Sequence, residues 1–111
     1  LSINFNKDIL IAETSYPFTL GWNDWTNNNV GLEEHLILPE YPASPQGQKD
    51  FIRDVKNLIL EVNNGIGFCY WGADLIAWDG ETSTNGSTWE NQAVFDFDNK
   101  ELPVLKEFNL D

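Results

Sequence analysis

Ile9-Leu10-Ile11-Ala12-Glu13-Thr14-Ser15-Tyr16-Pro17 is the stretch whose reading decides the fold. Four apolar residues in succession suit a strand buried on both faces, as in a parallel sheet covered by helices, and the run ends in a carboxylate followed by polar and turn residues. Glu13 therefore falls at the C-terminal end of the strand. In parallel α/β architectures the loops leaving that end converge on a crevice or barrel mouth where ligands bind. A polar residue that only terminates a strand is the plain alternative.

Working outward, residues 16–44 carry several aromatics, many Asn and three Pro with no sustained period, which reads as a long loop. Unstructured loops of that length are uncommon in compact domains unless they have a function. The clearest helix follows. Ser44 can cap it, Pro45 suits its first position, and Phe51, Ile52, Val55, Leu58, Ile59 and Val62 recur on one face. Asn64 and Gly65 stop it, with Gly65 free to take the left-handed conformation of a closing turn.

Ile66-Gly67-Phe68-Cys69-Tyr70-Trp71 is the second apolar strand. A strand, a crossover containing a helix and another buried strand form a βαβ unit, whose strands are parallel and whose crossover is right-handed. Trp71 thereby emerges at the same sheet end as Glu13. Beyond it, residues 72–90 form a second loop with Trp78, Trp89 and the turn-prone Asn85-Gly86. Ala93-Val94-Phe95-Asp96-Phe97 suits a strand-like return or the entry to a last helix, and Leu102–Phe108 a short terminal helix with Pro103 near its start. Residues 1–111 read as a single unit, with 1–8 a mixed polar lead-in.

Composition limits the partners. A formal charge of −12 with six scattered basic residues offers no cationic stripe for a nucleic acid or an anionic lipid surface, so a neutral ligand fits better. Five Trp, seven Phe and three Tyr exclude a disordered chain. No stretch reaches the roughly 20 apolar residues of a membrane span. Cys69 has no partner for an internal disulfide, and its place in an apolar run predicts a buried structural thiol. The start at Leu1, with no signal peptide, reads as a processed or cut end.

Several motifs, in this order, resemble glycoside hydrolase family 53, the arabinogalactan endo-β-1,4-galactanases. They are Ala12-Glu13-Thr14-Ser15-Tyr16-Pro17, Pro45-Gln46-Gly47-Gln48, Gly65-Ile66-Gly67-Phe68-Cys69-Tyr70-Trp71, Gly86-Ser87-Thr88-Trp89-Glu90-Asn91-Gln92-Ala93, Phe95-Asp96-Phe97 and Leu102-Pro103. The resemblance implies an α/β fold, the C-terminal portion of a (β/α)8 barrel comprising its last two βα units. It also implies retaining hydrolysis of galactan or galacto-oligosaccharide by two glutamates on the fourth and seventh strands. Glu13 would then be the nucleophile of the seventh strand, and Trp71, on the eighth, the floor of the subsite for the reacting galactose. Where family members commonly continue Tyr-Trp-Glu-Pro, this chain has Gly72-Ala73 after the Trp.

Sugar recognition would draw on aromatic faces, so Trp71, Tyr16, Trp22 and Trp78 are the expected substrate-binding residues. Trp22, Trp25 and Trp78 serve equally well as loop anchors, and Trp89-Glu90-Asn91 reads as fixing the last loop. Glu33, Glu34, Asp74, Asp79 and Glu90 are the carboxyls in the loops, whereas the acid/base glutamate belongs far upstream of this segment. No cofactor is required. A structural calcium is allowed by resemblance to bacterial members, with Asp24 and Asn27 as the expected ligands and Asn23 and His35 of the same residue types nearby; His35 otherwise reads as a surface residue.

A whole barrel takes about 250 residues, so the isolated chain is expected to be inactive and to order itself by self-association or by complementation with the missing barrel segment. Polymer degradation implies an extracellular, periplasmic or cell-surface location. The competing readings are a non-catalytic carbohydrate-binding module using exposed tryptophans and a structural domain with buried aromatics.

Overall fold

The computed structural model describes residues 2–109; the reading of the amino end at Leu1 lies outside them. The lead-in contains one helical turn, α1 (Ser2–Phe5), ahead of β1 (Ile9–Thr14). A long loop with a 3-10 turn at Glu33–His35 leads to α2 (Pro45–Glu61), and α2 returns the chain to β2 (Gly65–Tyr70). The strands pair in parallel, as a βαβ unit requires. Two further 3-10 turns, Glu90–Gln92 and Pro103–Phe108, close the order.

The start of α2 follows the sequence. The Ser44 hydroxyl accepts from Gly47 N–H at 3.0 Å, and Pro45 holds the first helical position, where its missing N–H costs nothing. Its end differs. Asn64, not Gly65, takes the left-handed conformation, at φ 65°. Gly65 is instead a close-approach glycine, because a methyl there would overlap the Ile59 carbonyl oxygen.

Ile52 and Ile59 are the buried apolar side chains of α2, and the core joins Ile52 to Phe18, Val94, Leu102 and Val104. The helix also lies along the 3-10 turn Pro103–Phe108. There Lys56 Nζ donates to the Glu107 carboxylate at 3.0 Å and Lys49 sits 3.8 Å from its other oxygen. Residues 93–97 take the strand-like option: Phe95 bridges antiparallel to Glu101, with Asn99 at positive φ in the intervening turn. The expected terminal helix is a 3-10 turn.

The expectation that both strands are buried on both faces fails for this segment. Phe68 and Tyr70 pack against the core on the helix side and Ile11 is half-buried, while Leu10, Ala12 and Cys69 stand exposed. Alternation of side chains along a strand explains the split, since the described residues cover only one face. Cys69 is therefore an exposed thiol rather than a buried one. Leu58 and Val62, expected on the packed face of α2, are also exposed. No helix among the described residues is long and apolar enough to cross a membrane.

Register in the strand pair slips twice. Ile9 pairs with Gly65 but Leu10 with Gly67, so Ile66 is the extra residue, and Gly67 supplies the φ of 139° that the bulge needs. Ile11 pairs with Phe68 but Thr14 with Tyr70, which places the second extra residue at Ala12-Glu13.

Gly47 lies buried in the first turn of α2, where a methyl would overlap the Pro42 carbonyl oxygen. Gly47→Ala is predicted to destabilise the fold by about 3 kcal/mol, the upper range for overpacking, despite alanine's better helix propensity. A shift of the urea midpoint to lower concentration checks this; an unchanged midpoint contradicts it.

Candidate active site

Glu13 is the penultimate residue of β1, and the register slip beside it leaves both Ala12 and Glu13 exposed, interrupting the alternation of faces. Bulges of this kind re-aim a side chain. One residue beyond the strand end, Trp71 N–H donates to the Thr14 carbonyl at 2.8 Å, which ties the two chain exits together. Glu13, Thr14, Ser15, Trp71 and Trp89 line one open cleft of about 380 Å³. The Trp71 indole is 45% exposed and meets Trp89 edge to face, with ring centroids 6.4 Å apart at 85°. A carboxylate beside two indoles offers a nucleophile or proton acceptor together with apolar faces on which a sugar ring can stack.

Trp89 was missed by sequence reasoning, which gave the Trp89-Glu90-Asn91 run only a loop-fixing role. The motif around it was the sole signal. Its neighbours do fix the loops: Asn91 Nδ2 donates to Thr19 O and Val30 O, at 2.8 and 2.6 Å. The loops 15–44 and 72–90 are stitched further by Trp25 N–H to Ser83 O, Asn29 N–H to Thr88 O and Gly86 N–H to Thr26 Oγ1.

The other expected ligand-binding residues separate. Tyr16 is a correction: it is only 6% exposed, its hydroxyl is 2.7 Å from Tyr41 O and 3.0 Å from Leu38 O, and its ring stacks on Phe51 at 4.4 Å. Burial pushes its phenol up from 10.0. It pins the loop and lines a separate apolar cavity with Leu36, Ile37 and Leu38. Trp78, 69% exposed, lies in a neighbouring cleft of about 400 Å³ with Asp74, Ser87 and Thr88, and Trp89 borders both clefts. Trp22 and Trp25 are exposed but do not line the Glu13 cleft.

None of the loop carboxyls Glu33, Glu34, Asp74, Asp79 and Glu90 lines that cleft. Glu90 is 1% exposed, and its Oε1 accepts from Asn23 N–H at 2.7 Å. Burial pushes the Glu90 carboxyl above its usual range, and Asp24 nearby pushes it the same way, against hydrogen bonds from the Asn23 and Asp24 amides and the Asn28 side chain.

The expected calcium ligands do not form a fitting set. Asp24 is buried with Oδ1 taken by Thr26 N–H at 2.7 Å and Oδ2 packed toward Gly86, whereas Asn27 is exposed. Among the described residues no group of three or more His, Cys, Asp or Glu could hold a metal ion. His35 is a surface residue whose Nδ1 accepts from Gly31 N–H at 3.2 Å.

The chain as a whole is similar to known proteins of one family. A family model described as glycosyl hydrolase family 53 matches residues 1–108. An arabinogalactan endo-β-1,4-galactanase of Cellvibrio japonicus is 34% identical over 114 aligned residues, covering 100% of this chain and 30% of that protein. The solved catalytic domain of Ignisphaera aggregans assigned to this family superposes with a TM-score of 0.85 at 40% identity, covering 99% of this chain and 32% of that one. A fungal β-1,4-galactanase structure superposes at a TM-score of 0.62 and 26% identity, with 99% and 30% covered. The chain thus spans about 30% of the length of the relatives it matches.

Because the folded state raises the Glu90 pKa, it binds that proton more tightly than the unfolded chain does. The stabilisation is full below the ordinary value of 4.5 and is lost as pH rises through the folded value. The urea midpoint of wild type relative to Glu90→Gln is predicted to fall as pH is raised from 4.5 toward neutrality. A difference independent of pH contradicts the assignment.

Proposed function

Because the chain belongs to glycosyl hydrolase family 53 and has the fold of the C-terminal portion of a (β/α)8 barrel, we propose that it supplies the nucleophile half of a retaining endo-β-1,4-galactanase site. The observation that carries the reading is the shared cleft of Glu13, Trp71 and Trp89 at the C-terminal end of a parallel strand pair. That is the end at which barrel enzymes do their chemistry. Galactose has an apolar face suited to the Trp71 indole, while its hydroxyls need the polar rim that Thr14 and Ser15 provide.

In the proposed reaction the Glu13 carboxylate attacks the anomeric carbon and the C1–O bond breaks. The leaving oxygen takes a proton from a second carboxyl group, which then activates the water that releases the sugar from Glu13. Those two groups must lie about 5–5.5 Å apart. With no second carboxyl in the cleft among the described residues, the acid/base belongs to the preceding part of a barrel, and this chain alone is inactive. Trp78, across Trp89, is placed to hold a sugar beyond the reacting one. The substrate is galactan or galacto-oligosaccharide, met outside the cytoplasm, where such polymers occur.

Exposed Trp22, Trp25 and Trp78 favour a second reading, a carbohydrate-binding module without catalysis. It requires galactan binding by this chain alone, weakened by Trp25→Ala.

Two outcomes test the leading reading. In the full-length enzyme carrying this segment, Glu13→Gln is expected to lower kcat by roughly 10⁴-fold while galacto-oligosaccharide still binds; unchanged turnover removes the assignment. The isolated chain, with Leu10 and Ile66 exposed on its strands, is expected to sediment as an associated species. A stable, well-folded monomer contradicts the need for a complementing partner.

A further inference from the structure

The register slip at Ala12-Glu13 poses a problem that the strand ladder does not solve. Between the paired positions Ile11 and Thr14 the register with β2 slips, so Glu13 sits at a bulge with no regular partner on β2. A nucleophile must nevertheless be held to within about 0.5 Å of its productive position. Contacts outside the pairing with β2 therefore bear on where its carboxylate sits.

A buried polar network begins two residues later. Tyr70, the last residue of β2, places its hydroxyl 2.7 Å from Gln92 O, to which it donates, and accepts from Tyr16 N–H at 3.3 Å. Gln48, fully buried in the first turn of α2, donates to Tyr16 O at 3.0 Å and to Ala93 O at 2.9 Å, and its Nε2 is 3.1 Å from the Tyr70 hydroxyl. Ser15 Oγ donates to Gln92 Oε1 at 2.9 Å. The network therefore joins the residues just after Glu13, just before Trp71 and just after Trp89. Each cleft-lining side chain is thus anchored within three residues.

We propose that Tyr70 and Gln48 act as a positioning pair that sets the Glu13 carboxylate against the sugar held by Trp71. The inference rests on the reading of Glu13 as nucleophile. Neither residue lines the cleft, so both act through the backbone of 15–16 and 92–93. Burial pushes the Tyr70 hydroxyl up to about 12, which keeps it a hydrogen-bond donor across the working range. Gln48 amide donors are spent on two carbonyls, leaving its Oε1 buried without a partner.

The test uses the full-length enzyme and a 2-deoxy-2-fluoro-β-galactosyl fluoride. Attack by the carboxylate on C1 forms a glycosyl ester and expels fluoride, and the ester turns over slowly enough to be counted by mass spectrometry. Labelled sites give the number of competent molecules, so rates can be expressed per titrated site. Tyr70→Phe is expected to lower the labelling rate constant per site about 10- to 100-fold, with the inhibitor's apparent affinity changed less than about twofold. Gln48→Met, close in shape and free of the unpaired oxygen, is expected to show a loss of the same kind and decides the matter if Tyr70→Phe does not fold. Per-site rates equal to wild type in the folded variants, with only melting temperature or labelled fraction reduced, overturn the positioning role. A label recovered on a residue other than Glu13 overturns the nucleophile assignment itself, which separates the two failures.

Discussion

Parallel pairing of β1 with β2 is the constraint on which the other features depend. It follows from the crossover through α2, and it ends in the 2.8 Å bond from Trp71 N–H to Thr14 O. Because the strands run the same way, both release their chains at one rim, and a carboxylate and an indole separated by the whole helix come to face one cleft. An antiparallel arrangement would have sent them to opposite ends. The helix that enforces this direction is itself fixed by a side-chain cap at Ser44 and by close approaches at Gly47 and Gly65, where no side chain fits.

The rim is made rigid with polar rather than apolar material. Glu90, Asn91 and Gln92 are buried in one 3-10 turn, and their side chains and carbonyls hold the loop after β1 and the end of β2. Each also keeps one buried atom without a protein partner, Glu90 Oε2, Asn91 Oδ1 and Gln92 Nε2, so it is the bonds they do make that specify the geometry. Aromatic packing continues the same work on the far side, where Tyr16, Tyr41 and Phe51 meet. The apolar core proper is small, a cluster around Ile52 and Val104, with the opposite strand face bare. A bare face is what a partial barrel must show, since the interior of a barrel is packed by residues from all its strands.

Much of this was legible in the sequence for identifiable reasons. Runs such as Ile9–Ala12 and the apolar period of α2 are local signals, and the βαβ rule converts them into parallel strands and a shared rim for Glu13 and Trp71. What escaped depends on neighbours far away in sequence. Cys69 is exposed in this segment because it alternates onto the bare face, which residues of a barrel's other strands would pack. Tyr16 looks like a sugar platform, yet its hydroxyl is held by the carbonyls of Leu38 and Tyr41. Asn64 and Gly65 both suit a helix end, and only the packing of Gly65 on the Ile59 carbonyl decides between them. The slip at Ala12-Glu13 has no glycine or proline to announce it. Trp89 enters the cleft just ahead of a buried 3-10 turn that no local period announces.

The most direct measurement is the crystal structure of the full-length enzyme carrying this segment, with Glu13 replaced by Gln and a galacto-oligosaccharide bound. The account predicts a galactose ring lying on the Trp71 indole with its anomeric carbon roughly 3–3.5 Å from the side chain at position 13, the separation of a near-attack arrangement. A sugar seated with position 13 and Trp71 on different sides of the chain, or bound only at Trp22, Trp25 or Trp78, would contradict it.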